Sequence, residues 1–285
     1  MTDYSALPLP RILISAAELL ERHKNGEQFA LIDVREITQW QAGTLPGAHH
    51  LNVYDYFIPD STQAGVNSLF NAFRSAWQEL AISDSVTPVF FEQQVGMRSP
   101  RGAWFALCGG ICQPLVLDGG LDAWQRAGGD LIPGTGNSAV ISADNPDYRT
   151  DASMNIALAA TRAEVLAAQA TGAEIVDARR PSEFTGEFAH ECCQRAGRIP
   201  GAKLLFWEDV VHNGGFPDAG EIRHRAEKAG LRPDRRNIIY CHRGARAATV
   251  FIALQLAGYR QLAIYVGSWH EWAGHPELPL LTDFN

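Results

Sequence analysis

The sequence predicts an α/β protein made of two tandem copies of one module, each a mainly parallel sheet flanked by helices. Three observations support this. Short apolar, β-rich runs alternate with helical patterns, an order that lays strands side by side in a sheet covered on both faces. Five landmarks of the first half recur in the second, in the same order and at nearly constant offset. A stretch rich in Gly, Asn, Ser and Asp separates the two sets, which places the modules at residues 1–131 and 151–285 and a linker at 132–150.

The first landmark is a helix start. Ser15-Ala16-Ala17-Glu18 and Thr161-Arg162-Ala163-Glu164 both carry the capping-box pattern of hydroxyl and glutamate. Leu31-Ile32-Asp33-Val34-Arg35 and Ile175-Val176-Asp177-Ala178-Arg179 follow, each a short apolar strand ending in Asp-x-Arg. Leu45-Pro46-Gly47-Ala48 is echoed by Ile199-Pro200-Gly201-Ala202. Val66, Leu69, Phe70, Phe73, Trp77 and Leu80 recur at helical spacing, giving the first half one long amphipathic helix whose aromatics belong to the core. Val89-Phe90-Phe91 matches Ile238-Ile239-Tyr240, and Gly119 and Trp124 match Gly267 and Trp272.

The totals narrow the function classes. A chain of 285 residues has room for two ordinary domains. No apolar run approaches membrane-spanning length, and the N-terminus has no basic segment leading into an apolar core, so neither membrane insertion nor secretion is expected. Five cysteines without a framework pattern suit a reducing cytoplasm. A net charge of −8 argues against general nucleic-acid binding. An anionic substrate therefore needs a locally positive site.

Tyr240-Cys241-His242-Arg243-Gly244-Ala245-Arg246 supplies one. An apolar run ends in cysteine, passes a short basic loop with one glycine, and opens a mostly apolar helix pattern from Ala247. In parallel sheets ligands sit beyond the carboxyl ends of strands. A loop of this kind aims backbone N–H groups and the positive end of a helix dipole at the sulfur, which favours thiolate. The plain alternative is a small buried thiol. Thiolate enrichment alone gains little. For a thiol in general, lowering the pKa from ~8.5 to ~6.5 raises the ionised fraction at pH 7 about 25-fold but cuts nucleophilicity about 8-fold. The N–H groups and Arg243 are therefore expected to act mainly on the anionic donor and on charge developing in the transition state.

The first half has Glu92-Gln93-Gln94-Val95-Gly96-Met97-Arg98 at the same place, with glutamate for cysteine and one extra residue before the arginine. That half is expected to be catalytically inactive and to form a wall of the cleft.

These motifs resemble those of the tandem-domain rhodaneses, the thiosulfate/3-mercaptopyruvate sulfurtransferase family. The resemblance rests on Asp177-x-Arg179, Arg198-Ile199-Pro200-Gly201-Ala202, the Cys241-x-x-Gly244-x-Arg246 loop and Gly267-Ser268-Trp269-His270-Glu271-Trp272, and it covers nearly the whole chain. It implies ping-pong covalent catalysis. Cys241 would attack the outer sulfur of thiosulfate, or the sulfur of 3-mercaptopyruvate, releasing sulfite or pyruvate. The Cys241 persulfide would then pass its sulfur to a small thiol, cyanide or a thiol protein. No metal, organic cofactor, nucleic acid or membrane is called for.

Within that reading Arg243 offers a fork to the donor's oxyanion. Arg246 is expected to hold the loop closed by bonding Asp177 or backbone carbonyls. Gly244 serves a backbone angle or a close approach to the ligand. His242 stands open between a solvent-facing position and a proton shuttle. Arg179 and Trp269 are possible cleft residues, with an Asp-x-Arg ion pair and a structural tryptophan as the other readings. Glu183 occupies the place where eukaryotic-type enzymes carry a donor-holding arginine. Mercaptopyruvate enzymes typically carry Gly-Ser-Gly after the cysteine, whereas two loop arginines suit a dianion, so thiosulfate is the expected donor.

Cys108 and Cys112 are expected to be buried structural thiols. Cys192 and Cys193 are expected to ornament a loop inserted before Arg198, with a sulfur relay as the other reading. Phosphatases and arsenate reductases are rivals, but they place five residues between cysteine and arginine where Cys241 and Arg246 bracket four. A non-catalytic rhodanese interaction module is the rival outside enzymology, and the intact loop opposes it.

Overall fold

The computed structural model describes residues 11–58, 60–83, 86–111, 113–136 and 154–283. The N-terminal half runs β1 (Leu13–Ser15), α1 (Ala16–Lys24), β2 (Phe29–Asp33), α2 (Ile37–Ala42), β3 (His49–His50), α3 (Gln63–Glu79), β4 (Thr87–Phe91), α4 (Ser99–Cys108), β5 (Leu115–Asp118) and α5 (Gly120–Arg126). The C-terminal half runs β6 (Ala159–Ala160), α6 (Arg162–Leu166), α7 (Ala168–Thr171), β7 (Glu174–Asp177), α8 (Pro181–Thr185), β8 (Ala202–Leu204), α9 (Ala219–Lys228), β9 (Asn237–Tyr240), α10 (Ala245–Leu256), β10 (Leu262–Tyr265) and α11 (Ser268–Gly274).

Each half forms a five-stranded sheet in the same order, β1-β5-β4-β2-β3 and β6-β10-β9-β7-β8. Every pairing within the sheets is parallel. Asp33 lies opposite Phe91 in one and Asp177 opposite Tyr240 in the other. That register puts Glu92 and Cys241 at equivalent points, just past a central strand.

The repeated landmarks are repeated bonds. Asp33 and Asp177 are fully buried, and each takes the arginine two residues on, at 2.7 Å from Arg35 Nη2 and 2.6 Å from Arg179 Nη2. Each arginine also donates to a carbonyl, Gly43 O or Gly197 O, tying the strand end to the next turn. Gly47 and Gly201, at φ +78° and +80°, supply the left-handed residue of the Pro-Gly turns. The capping box forms in full at Thr161 and Glu164. At Ser15 only the hydroxyl half is made, because the Glu18 carboxylate turns to Arg11 and Arg22 instead.

Val66, Leu69, Phe70, Phe73 and Trp77 are buried along α3, as their spacing predicts, and Leu80 caps its end. Helices α4 and α10 are buried on nearly all sides, because each packs between its own sheet and the other module. One apolar cluster therefore runs through both halves, from Phe70, Phe73 and Trp104 to Ala247, Val250 and Phe251. At about 1.5–3 kcal/mol for each large side chain buried, this shared core holds the modules together. Polar contacts fix their register. Thr249 Oγ1 donates to Gly96 O at 2.8 Å, Val95 N to Gly214 O at 2.8 Å, and Ser61 N to Glu271 Oε1 at 3.0 Å.

The expected linker is bonded to the first module where it begins. Ile132 and Thr44 exchange backbone hydrogen bonds of 2.9 and 2.8 Å, and Gly134 N donates to Trp40 O at 3.1 Å. Its remainder, from residue 137, lies outside the described residues, as does Cys112. Cys108 is buried, and burial pushes its thiol pKa well up. No helix among the described residues is long and apolar enough to cross a membrane.

Candidate active site

Cys241 follows the last residue of β9 and is pinned from the loop after β10. Its N–H donates to Ser268 Oγ at 3.2 Å, and its carbonyl accepts from Trp269 N at 2.9 Å. His242 O accepts from His270 N at 3.1 Å. Ser268 itself is held at φ +53°, a costly backbone for serine, and its hydroxyl donates to Tyr265 O at 2.8 Å. This is the work of the Gly267–Trp272 motif: it fixes the backbone on which the sulfur rides.

Gly244 turns the loop at φ +87°, a conformation that favours glycine, and its N–H donates to Cys241 Sγ at 3.1 Å. The next residue opens α10, so the sulfur lies at the positive end of a twelve-residue helix.

The sulfur faces a cleft of about 300 Å³ at the seam between the modules. Cys241, only 1% exposed, lies at its floor beside His242, Arg243, Ala245 and Arg246. Arg180, Glu183, His190 and Trp207 complete the C-terminal side, while Tyr54 and Met97 come from the N-terminal half. The loop residues singled out from the sequence are thus brought together, five as lining and Gly244 through its N–H. Arg179 and Trp269 are not part of the lining. Arg179 is turned inward onto Asp177, and its guanidinium lies 4.6 Å from the Trp269 ring centroid, so both act as supports under the loop.

Arg246 pairs with Glu183, at 2.5 and 3.0 Å, and not with Asp177. Asp177 is already occupied by Arg179 and by the Tyr240 hydroxyl. Burial would push the Glu183 carboxyl up, but the hydrogen bonds and charge of Arg246, with Arg179 behind it, hold it at about 2. The charge of Arg246 is therefore spent inside the protein. Arg243 and Arg180 line the cleft with no carboxylate partner among the described residues. Arg243 instead lies 4.8 Å from the Phe57 ring centroid, in cation–π contact with the other module. Burial and the charges of His190, Arg243, Arg246 and His270 push His242 down to about 3, so its ring is neutral at pH 7.

The equivalent loop of the first half is filled by its own side chain. Glu92 Oε1 accepts from the N–H groups of Gly96, Arg98 and Ser99 at 3.0, 3.0 and 2.8 Å, and from Ser99 Oγ at 2.9 Å. Leu121 N and Asp122 N hold its backbone, at Glu92 O and Gln93 O, as Trp269 N and His270 N hold the cysteine loop.

A family model for the rhodanese-like domain matches residues 15–127 and again 161–275. The chain belongs to the rhodanese-like family. It is a tandem member of a sulfurtransferase family. It is 26% identical to the thiosulfate sulfurtransferase of Azotobacter vinelandii over 98% of this chain and 99% of that one. It is 25% identical to the 3-mercaptopyruvate sulfurtransferase of Escherichia coli K12, over 93% of this chain and 96% of that one. The solved structure of SseA from Escherichia coli, described by its rhodanese fold, superposes with a TM-score of 0.73 at 23% identity, covering 91% of this chain and 99% of that one.

Sequence reasoning missed what the N-terminal half brings to the rhodanese loop. Arg101, on α4, is buried, and it donates to Arg243 O at 3.0 Å and to Tyr56 O at 2.5 Å, while its Nε has no partner among the described residues. Burial pushes its pKa down, and the nearby Cys241 and Tyr54 oppose that shift. No local pattern marks such a residue, since its role exists only once the two modules dock. Arg180 had a local signal. Its neighbour Arg179 is committed to Asp177, so the next side chain faces the other way.

Proposed function

We propose that this rhodanese is a thiosulfate sulfurtransferase that works through a persulfide on Cys241. The observation that carries the reading is the pairing of a cleft-facing sulfur with two arginines, Arg243 and Arg180, that have no carboxylate partner among the described residues. A dianion with one sulfur end fits that arrangement.

Thiosulfate enters the seam with its oxygens toward Arg243 and Arg180. Cys241 thiolate attacks the outer sulfur along the S–S axis. The bond to the sulfite sulfur breaks, sulfite leaves with the electron pair, and Cys241 carries the persulfide. The Gly244 N–H and the N-terminus of α10 stabilise charge on the sulfur throughout. A small thiol, cyanide or a thiol protein then takes the outer sulfur and regenerates the thiolate. Arg246 shapes the loop through Glu183 and Arg101 supports it from behind, so neither needs to touch the donor. His242, being neutral, adds no charge to the cleft.

On this reading the module at 151–285 is catalytic and the module at 1–131 is silent, because the Glu92 side chain already fills its loop. The four described cysteines are free thiols, in keeping with a reducing cytoplasm. The second reading, 3-mercaptopyruvate as donor, is favoured by the Escherichia coli relative named for it. Turnover of the two donors by the purified protein decides between them. Higher kcat/KM with thiosulfate is expected, and a large preference for 3-mercaptopyruvate would reverse the assignment.

A further inference from the structure

The insertion before Arg198 brings two more thiols against His242, a lining residue of the cleft. Cys192 is exposed and Cys193 half-buried. Both sulfurs lie against one ring nitrogen, His242 Nε2, at 3.4 and 3.5 Å. All three atoms fall within 4.8 Å of one another. We propose that Cys192, Cys193 and His242 form a site for a thiophilic divalent cation of the zinc class, and that the occupied site shuts the cleft to donor.

The distances fit the ion. Zinc–sulfur bonds of about 2.3 Å and zinc–nitrogen bonds of about 2.0 Å at tetrahedral angles set sulfur–nitrogen edges near 3.5 Å. Both observed edges match that length before any ion is present. Two thiolates and an imidazole select a borderline-soft cation over calcium or magnesium. The site is also held in shape. The His242 ring stacks on His190 with centroids 4.1 Å apart and planes 10° apart, and its backbone is tied to His270.

Arg243 Nη2 lies 3.7 Å from Cys192 Sγ. A cation so near a guanidinium requires both thiols to ionise, each losing its proton to solvent as the ion binds. The ion and two thiolates then sum to no net charge, and the arginine remains a donor to a ligating sulfur, the kind of outer contact that orients metal ligands. No electron transfer is involved. Three protein ligands leave a fourth position for water or a small thiol.

The consequence for the cleft follows from His242, which lines it and directly follows the nucleophile. Fastening that ring to the Cys192–Cys193 segment would lock the loop beside the nucleophile and draw Arg243, which contacts Cys192, away from the donor. The apo and occupied forms would thus be the open and closed states of the enzyme.

The test is a zinc titration of chelator-treated full-length protein in competition with a chromophoric chelator. The wild type and Cys241→Ser are both expected to bind one zinc per chain, since the nucleophile is not a ligand. Cys192→Ser/Cys193→Ser should bind it more than about 100-fold less tightly, the loss of two direct ligands exceeding that of an outer contact. His242→Gln, which keeps both thiols, should weaken it at least about 10-fold. Zinc should block sulfur loading from thiosulfate in the wild type, reversibly by chelator, and leave the double variant loading normally. Equal zinc affinity in the wild type and the double variant overturns the proposal. Loss of the ion in Cys241→Ser overturns it too, by placing the ion on the nucleophile. So does sulfane sulfur found on the Cys192–Cys193 segment of a chain that binds no zinc, which would make the pair a relay.

Discussion

The loops after β4 and β9 are the same device in two states. Both leave a central strand of a parallel sheet at the same register, and both are held by two backbone N–H groups from the helix that follows the next strand. In the first, the Glu92 carboxylate turns back and takes three N–H groups and a hydroxyl onto one oxygen. In the second, the side chain is shorter, and among the described residues only the Gly244 N–H reaches the cysteine sulfur. The difference teaches what the loop is for. Its N–H groups converge on an acceptor: one module fills that place with its own carboxyl group, and on the proposed reading the other leaves it for the charge of a donor.

The contrast extends to the ion pairs. Glu36, which pairs with Arg98 in the first half, is 56% exposed, whereas Glu183, which pairs with Arg246 in the second, is 2% exposed. Exposed pairs contribute little and buried ones are costly to break. The pair that is costly to break therefore stands beside the Cys241 loop.

Exchanging the residues that distinguish the loops gives the largest expected effect. Cys241→Ser should lower sulfur transfer by more than about 1,000-fold. Glu92→Cys should confer no activity on a Cys241→Ser background, because the first loop is one residue longer before its arginine and would hold its sulfur in a different cradle. Measurable transfer by that double variant would break the comparison.

The ion pairs come next. Glu183→Gln should destabilise the protein by on the order of 2–3 kcal/mol, allowing for solvent screening at the cleft, whereas Glu36→Gln should cost less than about 1 kcal/mol in denaturant unfolding. The pH dependence carries the same sign. Glu183 sits at about 2 in the folded protein against a usual 4.5, so its pair stabilises fully above pH 4.5 and its contribution is lost as pH falls toward 2. The wild type should show that acid-side loss, and Glu183→Gln should lack its share of it.

Donor recognition should then separate Arg243 from Arg246. Arg243→Ala is expected to lower kcat/KM for thiosulfate by about 10- to 30-fold, mostly through KM, with only the small stability loss of about 0.5–1 kcal/mol expected from its contact with Phe57. A stability loss with unaltered KM would recast Arg243 as structural. The smallest effect belongs to Glu92→Gln. Replacing the carboxyl acceptor of the first loop by an amide should cost about 1 kcal/mol in stability and leave sulfur transfer unchanged.

The repeat, the mainly parallel sheets and the cysteine loop were legible because each rests on local pattern. Asp-x-Arg, Pro-Gly and the apolar runs name their own neighbours, and the absence of cysteine at Glu92 needed only alignment of the halves. What was not legible depended on competition or docking. Asp177 was a reasonable partner for Arg246, but Arg179 and Tyr240 reach it first, and Glu183 on α8 takes what remains. Arg101 lies 142 residues from the carbonyl it supports, beyond any local rule. Cys192 and Cys193 looked like decoration because only the folded path of the insertion brings them to His242.

Intact-protein mass spectrometry after exposure to thiosulfate tests the persulfide on Cys241 most directly. The expected result is a gain of one sulfur atom, removed by cyanide and missing in Cys241→Ser. An unchanged mass, or a gain that persists in Cys241→Ser, would contradict it.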